Sequence, residues 1–185
     1  NGRECDKTMC KKVNVEATKK IALLAEGARV KKFVFASTCS VYGINKGWCT
    51  ETTKPNPISI YGETKLAAEQ ELKRVKNMKV VILRLATIYG WAPVTRCDLL
   101  PNRLISEAVR SGWIQVDGDG KKWRPVIHVK DAAEGLRFAA EKMRAGTFNF
   151  GDNSQNYTHY DMAEKISGLL PSATIGFNAS NEDSR

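Results

Sequence analysis

Ile60-Tyr61-Gly62-Glu63-Thr64-Lys65-Leu66-Ala67-Ala68-Glu69 reads as the opening of a helix, and what flanks it decides the fold. Upstream, Lys32-Phe33-Val34-Phe35-Ala36 is a short buried strand that runs into the hydroxyl-rich turn Ser37-Thr38-Cys39-Ser40-Val41-Tyr42-Gly43. Downstream, Lys79-Val80-Val81-Ile82-Leu83-Arg84-Leu85 is a second β-branched strand, ending in Ala86-Thr87-Ile88-Tyr89-Gly90. Strand, helix, strand in that order predicts a parallel unit, and hence an α/β fold. In open α/β sheets ligands bind beyond the carboxyl ends of the strands, so Thr38, Thr87 and the start of the Tyr61 helix are expected at one crevice.

Tyr61 and Lys65 are spaced for chemistry. Residues at i and i+4 share a helix face, so the Lys65 ammonium can favour the ionised form of the Tyr61 phenol. A group with a reference pKa of about 10 then becomes a usable acid or base near neutral pH. Taken alone, the spacing more often means a half-buried tyrosine beside a solvated lysine.

The surrounding motifs change that balance. Asn14-Val15-Glu16-Ala17-Thr18, Phe35-Ala36-Ser37-Thr38, Val41-Tyr42-Gly43, Tyr61-Gly62-Glu63-Thr64-Lys65 with Glu69, and Arg84-Leu85-Ala86-Thr87-Ile88-Tyr89-Gly90 follow one another in order. Gly118-Asp119-Gly120, the run Trp123 to Asp131, and Phe148-Asn149-Phe150-Gly151 continue the series. Together they resemble the extended short-chain dehydrogenase/reductases, the NAD-dependent epimerase/dehydratase group acting mostly on nucleotide-sugars. The resemblance implies a Rossmann-like parallel sheet and part of a small α/β substrate-binding domain. It makes Tyr61 the catalytic acid/base, Lys65 the lysine that binds the nicotinamide ribose and lowers the tyrosine pKa, and Thr38 the hydroxyl that bonds the reacting oxygen. It sets Asn14 and Ala86 beside the cofactor, NAD or NADP with NAD favoured. Thr87 falls where many relatives carry a sugar-contacting Asn, Arg124 matches an arginine that grips the nucleotide diphosphate, and Asn102 is a weaker candidate for the same region.

The implied function is an NAD(P)-dependent epimerase or reductase of a nucleotide-activated sugar. Sugar 4,6-dehydratases typically place an acidic pair after the catalytic threonine, whereas Cys39 and Ser40 stand here. The alternative is a non-catalytic or inactive relative, a binding module unable to hold the dinucleotide alone. A dinucleotide site needs a glycine-rich turn between strand and helix, and the only Gly-x-Gly, at Gly118, has neither a third glycine nor a helix pattern after it. The expectation is therefore an internal fragment, with residues 1–92 a partial cofactor domain, 93–185 a partial substrate region, and 124–151 packing back on the first part.

Each candidate has a plainer reading. Thr38 could cap an ordinary turn, Arg124 could pair with Asp119 or Asp131, Cys39 could be a small buried hydrophobe, and His128 reads as a hydrogen-bonded structural histidine rather than a metal ligand. No metal site is expected. The formal charge of +9 is spread in short pairs such as Lys11-Lys12 and Lys31-Lys32, which predicts solvated faces and no nucleic-acid stripe. Five cysteines without ligand spacing suggest reduced thiols and a cytoplasmic protein, no apolar run reaches the roughly 18 residues of a membrane span, and the whole protein is expected as a homodimer. Helices are predicted near 15–27, with Ile21, Leu24, Ala25 and Ala28 inward, near 101–111, and through Ala132, Leu136, Ala139 and Met143. A strand is predicted at 147–150, and a last helix capped by Thr158 and Asp161 before Pro171.

Overall fold

The computed structural model describes residues 6–45 and 47–178, so Cys5 lies outside it. The chain forms two compact units, one running up to Leu85 and taking in Ala133–Phe150, the other formed by Ala86–Ala132 and the segment from Gly151 on.

The first unit opens with α1 (Lys7–Lys11), a π-helical stretch (Lys12–Ala17) and α2 (Thr18–Gly27), followed by β1 (Lys32–Thr38) and a 3-10 turn (Cys39–Tyr42). The Tyr61 helix is α3 (Ile60–Leu72), and β2 spans Lys79–Leu85. The chain then gives β3 (Thr87–Tyr89), α4 (Asn102–Ser111), β4 (Trp113–Asp117), β5 (Trp123–His128) and α5 (Val129–Glu141). It ends in β6 (Gly146–Phe150), β7 (Asn156–Thr158), α6 (His159–Leu169) and β8 (Thr174–Asn178).

In the first unit β1, β2 and β6 make a parallel sheet with β2 in the middle, and Thr38 stands opposite Leu85 at its carboxyl end. Central β2 is buried from Val81 to Leu85, as a strand covered on both faces must be. Ala68 and Leu72 of α3 join Ala22, Phe35, Met78 and Ile82 in one apolar cluster. Each large side chain among them contributes on the order of 1.5–3 kcal/mol by leaving water.

The helix predicted at 15–27 begins at Lys7, and its inward face is not the one expected. Ile21 and Leu24 are 56% and 65% exposed, and Ala28 is exposed too, while Ala22 is buried and Ala25 half-buried against the core. Small residues face inward because α2 packs against α3, and a close helix approach selects alanine over larger apolar side chains.

In the second unit β5 pairs in parallel with β3 and antiparallel with β7, and β4 pairs in parallel with β8. Its core is aliphatic, with Leu104, Ile114, Val116, Val126 and Met162 at the centre. α4 matches the predicted 101–111, although Ile105 and Val109 are exposed and only Leu104 and Ala108 of that set are buried. The capping box of α6 forms as expected: the Asp161 amide donates to Thr158 Oγ1 at 3.0 Å and the Thr158 amide donates to Asp161 Oδ2 at 2.9 Å. Gly120 sits at φ +71°, where a Cβ would meet Val116 Cγ1 at 2.9 Å, so this tight turn needs glycine for both conformation and space. One thiol departs from expectation: Cys10 is disulfide-bonded, whereas Cys39, Cys49 and Cys97 stand outside any disulfide.

Candidate active site

Four of the predicted site residues, Asn14, Thr38, Tyr61 and Lys65, lie in the first unit; the other four, Ala86, Thr87, Asn102 and Arg124, lie in the second.

Thr38 is the last residue of β1 and is buried. Its Oγ1 accepts from the Ser40 amide at 3.2 Å and lies 3.1 Å from Ser40 Oγ, capping the 3-10 turn. The turn-cap reading of Thr38 therefore holds, and it fixes the hydroxyl at the strand end where a ligand-facing group belongs. The first turn of α3 is pressed against this same turn, since a Cβ on Gly62 would come within 2.8 Å of the Ser40 carbonyl oxygen and 2.9 Å of Pro57 Cβ. Ser59 caps α3, accepting from the Gly62 amide at 3.1 Å, and Glu63 complements the positive end of the helix.

Tyr61 stands in that first turn, half exposed. One turn on, Lys65 is half-buried and its ammonium sits 4.2 Å from the centroid of the Phe35 ring. Burial lowers the Lys65 pKa, with the Glu69 charge opposing the shift. Asn14 lies in the π-helical stretch and donates from Nδ2 to Thr64 Oγ1 at 3.0 Å, while Thr64 in turn donates to the Ile60 carbonyl at 2.8 Å. Asn14 thus braces the helical turn that carries Tyr61. π-Helical insertions occur often at functional sites because they re-aim side chains along a helix.

Behind this face lies a buried polar network that the sequence reading did not foresee. Glu69 and Arg84 are 0% and 4% exposed. Arg84 donates to both carboxylate oxygens of Glu69, at 3.1 and 2.7 Å, and Ser37 Oγ donates to Glu69 Oε1. Arg84 also donates to Tyr42 Oη at 2.9 Å, and Tyr42 donates to Asn149 Oδ1 at 2.6 Å. Asn149 reaches the preceding loop, donating from its amide to Glu51 and from Nδ2 to the Cys49 carbonyl. Burial pulls the Arg84 guanidinium down, but its bonds to Glu69 and Tyr42 outweigh this and hold it above its ordinary range. Burial pushes the Tyr42 phenol up against the opposing pull of Arg84. An arginine inside the apolar run Ile82-Leu83-Arg84-Leu85 was the available signal, because a charge on a strand buried on both faces requires a partner.

In the second unit Ala86 is buried, and Thr87 opens β3 opposite Val126. Asn102 is engaged: its Oδ1 accepts from the Gly90 amide at 3.0 Å and its Nδ2 donates to the Arg96 carbonyl at 3.3 Å. Arg124 is half-buried on β5 opposite Tyr157. Asp119 is paired with Lys121. His128 accepts from the Lys130 amide through Nδ1 at 3.3 Å and meets the Tyr89 ring edge-on at 5.4 Å. Among the described residues no group of three or more His, Cys, Asp or Glu gathers as a metal site, and no helix is long and apolar enough to cross a membrane.

A parallel sheet with a capped turn at one strand end and a Tyr-Lys helix against it defines a Rossmann-like α/β protein. The chain belongs to the NAD dependent epimerase/dehydratase family, whose model matches residues 5–151. It is 34% identical over 172 residues to an uncharacterized UDP-glucose epimerase of Bacillus subtilis, covering 89% of this chain and 53% of that protein. It is 32% identical to UDP-glucuronic acid decarboxylase 1 of Arabidopsis thaliana, over 93% of this chain and 41% of that one. The UDP-glucuronic acid 4-epimerase of Bacillus cereus, solved in complex with NAD, superposes with a TM-score of 0.84 at 28% identity, over 96% of this chain and 60% of that chain. The chain thus spans about half the length of the relatives it matches.

Proposed function

We propose that the whole protein is an NAD-dependent 4-epimerase or reductase of a nucleoside-diphosphate sugar, with Tyr61 as its acid/base. The observation that carries this is the joint placement of Thr38 and the Tyr61–Lys65 helix: a buried hydroxyl fixed at the end of β1, and the first turn of α3 packed against its turn. The residues present fit the nicotinamide end of a dinucleotide. Lys65 is a partly desolvated cation resting on a ring, with hydrogens to give to ribose hydroxyls, and Asn14 and Ala86 complete the set proposed to line the cofactor. When bound, such a cofactor supplies hydride exchange at a sugar carbinol carbon. Tyr61 moves the matching proton to or from the carbinol oxygen, Thr38 hydrogen-bonds that oxygen, and Lys65 favours the ionised phenol.

On the substrate side we assign Thr87 to the sugar and Arg124 to the diphosphate, for which a forked, permanently charged guanidinium is suited. Asn102 serves the same region through the Gly90 turn it holds. Residues 1–92 then supply the cofactor half and 93–185 the substrate half. With Cys39 and Ser40 after Thr38, no carboxylate stands there to drive elimination, which favours oxidation and re-reduction at one carbinol over dehydration.

Proton NMR of UDP-glucose incubated with the whole protein and NAD is expected to show the anomeric signal of the 4-epimer growing in, or, with a 4-keto sugar and NADH, the reduced sugar. A panel of nucleotide-sugars and their 4-keto forms left unchanged would overturn the reading.

A further inference from the structure

We propose that Glu69, clamped by Arg84 and Ser37, is the positioning residue that fixes the rotation of the Tyr61–Lys65 helix against the Thr38 end of β1. Tyr61, Lys65 and Glu69 follow at intervals of four and so lie along one gently turning stripe of α3. The far end of the stripe is buried and the near end is half exposed. At the far end Glu69 has both oxygens taken by the Arg84 fork, on β2, and one also by Ser37, on β1. Ser37 and Arg84 are register partners across the two strands, so the carboxylate is gripped by both strands at one level of the sheet. Ser37 immediately precedes Thr38, which ties the grip to the strand end bearing the proposed substrate hydroxyl.

A bidentate ion pair is directional, and rotating α3 by even part of a turn would strip both bonds from a carboxylate with no water to replace them. Apolar neighbours such as Ala68 and Leu72 define depth but tolerate sliding and rotation far better. The network continues from Arg84 through Tyr42 to Asn149 and from there to the loop at Cys49 and Glu51, so this anchor also fixes the segment that follows the Thr38 turn.

The inference rests on the proposed roles of Tyr61 and Lys65, but it is read without turnover. The chain labelled with 13Cζ-tyrosine carries five tyrosine signals, and Tyr61→Phe assigns the one needed. The decisive variant is Glu69→Leu with Arg84→Met, which removes both charges, leaves the net charge unchanged and refills the space. The expected result is a melting temperature close to that of the unaltered chain, with the Tyr61 titration midpoint displaced by about half a pH unit or more. A Tyr61 signal and midpoint unchanged in the folded double variant would overturn the proposal, because the pair would then be structural only. Should the double variant fail to fold, Arg84→Lys keeps the charge and loses the fork. It is expected to displace the Tyr61 midpoint in the same way, and an unmoved midpoint there is equally fatal. If the whole protein instead proves inactive on nucleotide-sugars while the midpoint moves as stated, the functional reading fails and the positioning role stands.

Discussion

The two units are held together by different physics. The core of the second is aliphatic, built from residues such as Leu104, Ile114 and Val116, with its charges at the rim, where Arg103 meets Glu107 and Asp117 at partly exposed positions. The first has an aliphatic cluster too, but the face of α3 behind the candidate site closes over an ion pair that is 3% and 0% exposed at its side chains. Apolar packing is forgiving of small rotations, whereas a desolvated fork of hydrogen bonds is not. The costlier device stands where the proposed chemistry needs a fixed geometry, and the cheaper one where only a fold is needed.

Breaking that contrast should show first at the ion pair. Arg84→Ala leaves Glu69 buried and unpaired, a loss of about 3–5 kcal/mol that urea unfolding would register. Somewhat smaller is Ile114→Ala in the second unit, at about 2–5 kcal/mol, because only contact and a cavity are involved. Hydrogen exchange should place the faster amides of this variant in β4, β8 and α6, and those of Arg84→Ala in β1, α3 and β2. The smallest effect is expected from Thr158→Ala, which removes the α6 cap at about 0.5–2 kcal/mol and leaves the first unit's exchange pattern unchanged.

Much of this was legible in the sequence, and the misses have physical causes. β1, α3 and β2 could be read because strand and helix periods are strong in those runs. α6 could be read because a capping box is a local signal that no distant contact need support. The inward face of α2 could not, since large apolar residues usually point inward, and here packing against α3 selects Ala22 over Ile21 and Leu24. β3 is three residues long, too short for alternation to register. Glu69 and Arg84 are separated by fifteen residues and look like two ordinary charges until the sheet brings them together. Of the candidate site, the residue types at Thr38, Tyr61 and Lys65 were visible; the buttresses Ser37, Tyr42 and Asn149 depend on tertiary contacts that no local pattern encodes.

Proton handling is the role proposed for Tyr61. Its most direct test is the turnover of a nucleotide-sugar by the whole protein carrying Tyr61→Phe, with NADH binding followed in parallel by energy transfer from tryptophan. The expected result is a loss of about 10²–10⁴-fold in turnover with cofactor affinity retained. Full activity in the Tyr61→Phe protein would contradict it.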